Sequence, residues 1–268
     1  MNIALERKFI SVFEKTDSGR AEQELTCDIV VPDTQEDIRR LLMTYAKYEL
    51  NSKDISEGKV LLRGKVLFRC LYTPETGEGI CTLNGAAPFE LEMTLDGADG
   101  DSFSLTDIHL GAVQTRTLNP RKVSIKTAIT ALTDVYRIGE LEWYDTPTEP
   151  VKNVFFRQTA FETSTVCSAS EKAFSLDNEF DLPELGEGAE ILNVSSELYT
   201  DSADAVGAKL IIKGHAELEI LYIANGKLGR TQRNTAFSQL FDISERDTVP
   251  EHRVSIARTG ERYELTDG

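Results

Sequence analysis

The 268-residue chain has one tryptophan, three histidines and four cysteines, and their scarcity excludes a good deal. Cys27, Cys70, Cys81 and Cys167 form no C-x-x-C pair, and His109, His215 and His252 are the only imidazoles to join them. Zinc-ligand spacing is therefore missing, and neither a metal nor a cofactor is expected. Long apolar runs are also lacking. Stretches such as Phe9-Ile10-Ser11-Val12-Phe13 fall far short of the roughly 20 residues a membrane helix needs. Met1 to Lys8 carries Glu6 and no apolar core, so no secretory signal peptide is expected and the thiols are read as reduced and cytoplasmic. Cations are in short supply, 29 against 45 acidic side chains, for a net charge of −16. That balance excludes wrapping a nucleic-acid backbone or docking on an anionic membrane, both of which need surplus positive charge. What remains is ample for folding: 40% hydrophobic and 28% charged residues, in a length that suits one large domain or two ordinary ones.

Catalytic patterns are equally sparse. A serine or cysteine nucleophile needs a positioned base and an orienting group, and no G-x-S-x-G elbow occurs. Asp33 and Asp37 stand at the i, i+4 spacing of paired carboxylates, but a cap with favourable charge at a helix N-terminus accounts for them more simply. Asp96 to Asp101 superficially resembles a calcium loop, yet Ala98, Gly100 and Asp107 occupy ligand positions, so a β-turn is expected. Gly77-Glu78-Gly79 lacks the lysine of a phosphate loop and reads as a hairpin turn. No catalytic residue is assigned. The chain is read as a non-enzyme, the alternative being a carbohydrate-binding or hydrolytic β-protein with an unrecognised acidic site.

The richest feature is an internal repeat. At an offset of 150, Lys59-Val60-Leu61-Leu62-Arg63-Gly64 falls on Lys209-Leu210-Ile211-Ile212-Lys213-Gly214, and Leu71-Tyr72 on Leu221-Tyr222. The same offset brings Leu41-Leu42 onto Ile191-Leu192, Ser52 onto Ser202 and Gly79 onto Gly229. Chance alignment of two hydrophobic strands would match apolar positions, but not glycine, tyrosine and cations in one register. A duplication is expected.

Periodicity assigns the class. Val60, Leu62, Gly64, Val66, Phe68, Cys70 and Tyr72 share one parity, with Lys59, Arg63, Lys65 and Arg69 on the other. Such alternation has the strand period of two. Leu61, Leu67 and Leu71 interrupt the polar face, so part of it should also be covered. Glu24 to Val31 reads as an extended run stopped by Pro32, while Phe103 to Leu118 and Lys122 to Tyr136 read as strands turned at Asn119-Pro120. One short helix is expected over Thr34 to Tyr45, capped by Asp33, with Ile38, Leu41, Leu42 and Tyr45 on one face. The expected architecture is mainly β, with two tandem sandwich- or barrel-like domains. The first spans residues 1–138, a linker 139–150, and the second 151–268. Counting forward by the offset, the strand Lys122 to Tyr136 should recur beyond Gly268. The second domain is thus expected to lack its last strand and to self-associate through an open edge.

Residues 24 to 38 resemble the "I-x-V/L-P-D-x-x-x-D-I" opening of the SPOCS domain family, with Pro32, Asp33 and Asp37 at the signature positions. Gly58-Lys59-Val60-Leu61-Leu62-Arg63-Gly64, then Phe68 and Leu71-Tyr72, is similar to the family's central strand, and Pro88-Phe89 to its later "P-F". The second copy keeps Gly214 and Tyr222 but not the P-D signature. The family belongs to endospore-forming bacteria, especially clostridia. The resemblance implies a structural protein of spore-envelope assembly in the mother-cell cytoplasm, with protein partners that include the coat's morphogenetic ATPase.

Overall fold

The computed structural model describes residues 4–148, 157, 166, 168–186, 188–243 and 252–264. Ten strands run in chain order: β1 (Leu5–Val30), β2 (Ile38–Ser56), β3 (Lys59–Pro74), β4 (Cys81–Thr94), β5 (Phe103–Leu110), β6 (Gln114–Asn119), β7 (Lys122–Pro147), β8 (Glu190–Val206), β9 (Lys209–Ala224) and β10 (Lys227–Asp242). The protein is mainly β, as its period-two patterning predicts, and no helix occurs among the described residues.

Three antiparallel sheets result. In the first, β1 pairs along the whole of β7, so β5 and β6 share the opposite edge of β7. The second is the meander β2-β3-β4. These two face each other across one core, with Leu25, Ile29, Ile125 and Ile129 on one side and Leu62, Val66, Phe68 and Phe89 on the other, all buried. Each such side chain contributes about 1.5–3 kcal/mol on burial, which is why the alternating face is so strictly kept. Cys27 and Cys70 lie in this core as unbridged thiols, pushed up in pKa chiefly by burial. Cys167 lies outside the described residues.

The expected helix is a strand. On β2, the positions opposite the inward residues of β3 are Ile38, Leu41, Thr44, Ala46, Tyr48 and Leu50. Bulges between Ile38 and Arg40 and between Leu41 and Met43 each insert a residue, so the inward spacing is three, three, then two. Two bulges in succession mimic a helical stripe, and Leu42, which the expected helix would bury, is exposed. Asp33 therefore caps no helix.

The third sheet, β8-β9-β10, is a meander like the second. Its bulges fall between Ile191 and Asn193 and between Thr200 and Ser202, 150 residues after those at Leu41/Met43 and Leu50/Ser52. The Ser52 hydroxyl donates to Asp54 at 3.1 Å and that of Ser202 to Asp204 at 2.9 Å. Both first hairpins turn on a left-handed glycine, Gly58 (φ 72°) and Gly207 (φ 59°). Gly79 and Gly229 do not correspond. Gly79 lies in the β3–β4 loop and Gly229 in β10, opposite Tyr222. The second hairpin loop is the two residues Asn225-Gly226, shorter than its counterpart, and from there onward the register runs at 148, with Phe237 where Phe89 is.

Beyond the core, the far ends of β1 (from Leu5 to Lys15) and β7 (from Tyr136 to Pro147) continue as a two-stranded ribbon. The stretch expected to be a linker is thus partly strand. Two of its acids answer cations across the ribbon, Glu142 with Arg7 at 2.5 Å and Asp145 with Lys8. The last of the linker residues, 149–150, lie outside the described residues.

Candidate functional site

The signature residues meet where β1 crosses over to β2. Pro32 ends β1, and the chain turns with Gln35 N–H donating to the Pro32 carbonyl at 2.9 Å. Arg121, from the β6–β7 turn, inserts its guanidinium into this crossing. It donates to Asp37 at 2.7 Å, Asp33 at 3.2 Å, the Val31 carbonyl at 3.0 Å and the Pro32 carbonyl at 3.1 Å. A planar fork with five donors is suited to holding two carboxylates and two carbonyls at once. Backbone bonds close the same joint, from Val31 N–H to the Arg121 carbonyl and from Ile38 N–H to the Pro120 carbonyl. Asp33 and Asp37 are thus brought together by a cation, and the arrangement is a clasp between the two facing sheets.

Tyr72 completes it from β3. Its ring is fully buried, and its hydroxyl donates to the Glu36 carbonyl at 3.1 Å and Gln35 Oε1 at 3.3 Å. Burial, with Cys81 beside it, pushes the phenol up to about 12. The unfolded phenol loses its proton near pH 10 while the folded one keeps it, so the folded state binds more protons between about pH 10 and 12. Stability from this group is present below that window and lost as pH rises through it. Titration of tyrosinate absorbance should therefore show one tyrosine ionising only with unfolding, and Tyr72→Phe should remove that lag.

Gly64 and Gly214 occupy the middle of β3 and β9, each opposite a phenylalanine. A Cβ built at Gly64 would lie 2.2 Å from the Glu49 carbonyl oxygen and 2.5 Å from Phe89 Cζ. At Gly214 the distances are 2.1 Å to the Tyr199 carbonyl oxygen and 2.4 Å to Phe237 Cζ. In both sheets the ring lies over the bare backbone. Tyr222 stands at the register position of Tyr72 but covers Gly229 and is only partly buried. The turn that follows residue 182 has Glu184 paired with Arg233 at 2.6 Å, and the fourfold clasp of Arg121 is not repeated there.

The polar face of β2 and β3 is partly covered, as Leu61, Leu67 and Leu71 predict, and Leu71 is buried. Arg69 reaches the Leu192 carbonyl at 3.2 Å and the Tyr263 hydroxyl, while Lys47 pairs with Glu261 at 2.9 Å. Glu261 also accepts from Ser196 and Arg258, and these partners hold its carboxyl below the usual range despite opposing burial. Spacing along the chain does not reveal this joint, because Lys47 and Glu261 lie 214 residues apart.

The histidines stay separate. His109 is exposed on β5, and His252 lies in the segment 252–264. His215 Nδ1 bonds Asp201 at 2.9 Å and its ring stacks on Tyr199, with no serine or cysteine among its described hydrogen-bond partners. The acidic loop after β4 is a turn, with Asp99 held by Ser102 and Arg137. Among the described residues no three histidine, cysteine or acidic side chains cluster as a metal site, and no helix is long and apolar enough to cross a membrane.

Sheets β1-β7-β5 and β2-β3-β4, clasped at their crossing, define a β-sandwich module. Residues 37–116, from the clasp aspartate through β2 to β5 and into β6, match the family described as SipL, SPOCS domain. This part of the chain matches a SPOCS domain, which points to a sporulation-related protein. No curated protein and no solved structure is significantly similar to the chain.

Proposed function

We propose that the chain is a non-enzymatic structural and interaction protein of spore-envelope assembly, acting at the forespore surface in the mother cell. Its partners are proteins, with the coat's morphogenetic ATPase the first candidate. One observation carries the reading. The polar groups of the SPOCS signature are engaged in holding two sheets together, Arg121 by Asp33, Asp37 and two carbonyls, and Tyr72 by Gln35 and Glu36. A signature devoted to rigidity supports a scaffold. The matched bulges, glycines and phenylalanines support reading β8-β9-β10 as part of a second, divergent SPOCS copy. The alternative, a carbohydrate-binding or hydrolytic protein, has its best support in the His215–Asp201 pair stacked on Tyr199. In sporulating cells, a fluorescent fusion is expected to ring the forespore and to retain the ATPase on affinity capture. A diffuse signal with no ATPase, or loss of function on His215→Ala alone, would overturn the structural reading.

A further inference from the structure

In the SPOCS module, sheet β2-β3-β4 is covered by the faces of β1 and β7. The matching face of β8-β9-β10, with Leu198, Leu210, Ile212, Leu218, Phe237 and Phe241, opens instead on a cleft of about 3640 Å³. Among the described residues, β2 and β5 line its other sides, as at Tyr48 and Phe103, together with non-strand segments from which Phe174 touches the buried Phe237 at a ring distance of 5.3 Å. A sheet face so apolar ordinarily packs on another layer.

The ribbon at the far end of β1 and β7 has the complementary problem. Along β7 the inward face of Ile129, Ala131 and Val135 continues with the same parity into Leu141 and Trp143. The bulge between Lys15 and Asp17 keeps β1 in step, setting Ile10 opposite Leu141 and Lys8 opposite Trp143. So the face that covers β2-β3-β4 runs on beyond the module, where Val12 is still buried and Phe13 N–H donates to the Val166 carbonyl, but Leu141 is 42% and Trp143 43% exposed. Beyond Tyr136, no residue of this ribbon lines the cleft of its own chain. A two-stranded ribbon gains little stability alone and needs a packing partner.

We propose that the ribbon of one copy docks in the cleft of a second copy, laying the Ile10–Leu141–Trp143 face on β8-β9-β10. The docked strands are the same two, on the same face, that already pack on the equivalent meander in the first module. Ribbon length fits: Leu5 to Lys15 spans roughly 36 Å, less than the length of β9. A two-strand footprint of that length buries on the order of 1,200 Å² in total, the lower end for a stable pair. On the docking face Lys8 pairs with Asp145 and Arg137 with Asp99, so docking strands few lone charges. Ribbon and cleft are different surfaces, so the contact is head-to-tail and extends into chains unless it closes. This deepens the structural reading above and rests on it.

Trp143 is the sole tryptophan, so docking has a direct reporter. With the full chain, emission is expected to shift to the blue as concentration rises, in step with association seen by analytical ultracentrifugation. Leu141→Glu on the ribbon and Phe241→Glu in the cleft should each abolish association while keeping the wild-type melting transition. Leu198→Glu serves if Phe241→Glu does not fold. Mixed one to one, a ribbon variant and a cleft variant retain one good surface each and should form a dimer that neither forms alone. A wild type monomeric throughout, variants that associate as wild type does, or a mixture that stays monomeric would each overturn the proposal. A monomeric protein that still rings the forespore would refute docking and leave the envelope role standing.

Discussion

Gly64→Val should cost about 3 kcal/mol of unfolding free energy, whereas Lys65→Val, one residue on, should change it by less than about 1 kcal/mol. The contrast isolates the close approach at the centre of β3. Valine's Cβ would lie 2.2 Å from the Glu49 carbonyl oxygen and would strike the Phe89 ring, so the β2 backbone and the buried ring must both move. Neither is the end of a flexible side chain. Lys65 faces outward and pairs at 2.9 Å with Glu49, itself 17% exposed, a half-exposed contact worth about 1 kcal/mol or less. Urea denaturation of the two variants decides the matter, and equal midpoints would show that the glycine is not needed for the ring to seat. Gly214→Val should act likewise on the third sheet, where the approach to Tyr199 is closer still.

Arg121→Met should destabilise the SPOCS module by about 2 kcal/mol, since it leaves the Val31 and Pro32 carbonyls without their side-chain donor and two carboxylates side by side. The guanidinium is partly exposed, which keeps the figure below that of a buried pair. Arg121→Lys should recover less than half of the loss, because an ammonium cannot present a planar fork to four acceptors. A double-mutant cycle with Asp37→Asn should be non-additive, the second substitution costing less once the first is made. Additive costs would mean that the two side chains are not coupled.

The strands, the central glycines and the shared offset were legible because a half-buried strand repeats every two residues and a glycine there stands out. The helix was misread at Ile38, Leu41 and Leu42 because two bulges gave a strand the spacing of a helix. The offset carries the second of those bulges to Ile191 and Asn193, but a bulge leaves no residue type behind to recognise. Asp33 and Asp37 stand out in the sequence, but as a helix cap rather than as partners of a cation. Their cation comes from Arg121, some ninety residues on, and spacing along a chain is silent about contacts that only folding makes. Gly139 to Pro150 reads as a linker on its two prolines and three glutamates, though Glu142 and Asp145 there answer cations on β1.

The pairing of Leu5 with Pro147 also fixes an order of events during synthesis. Both meanders consist of neighbouring strands joined by short turns and can close as soon as they leave the ribosome. β1 emerges first yet waits for β7, the last strand of its module, to be made. At about 5–20 residues per second that interval is on the order of ten seconds. For that time Leu25, Cys27 and Ile29 have no sheet to join, and a nascent strand with an apolar face is open to any passing edge. Fast elongation through residues 31 to 122 shortens the exposure, and slow codons there lengthen it. The most vulnerable moment in the life of this protein thus precedes its completion.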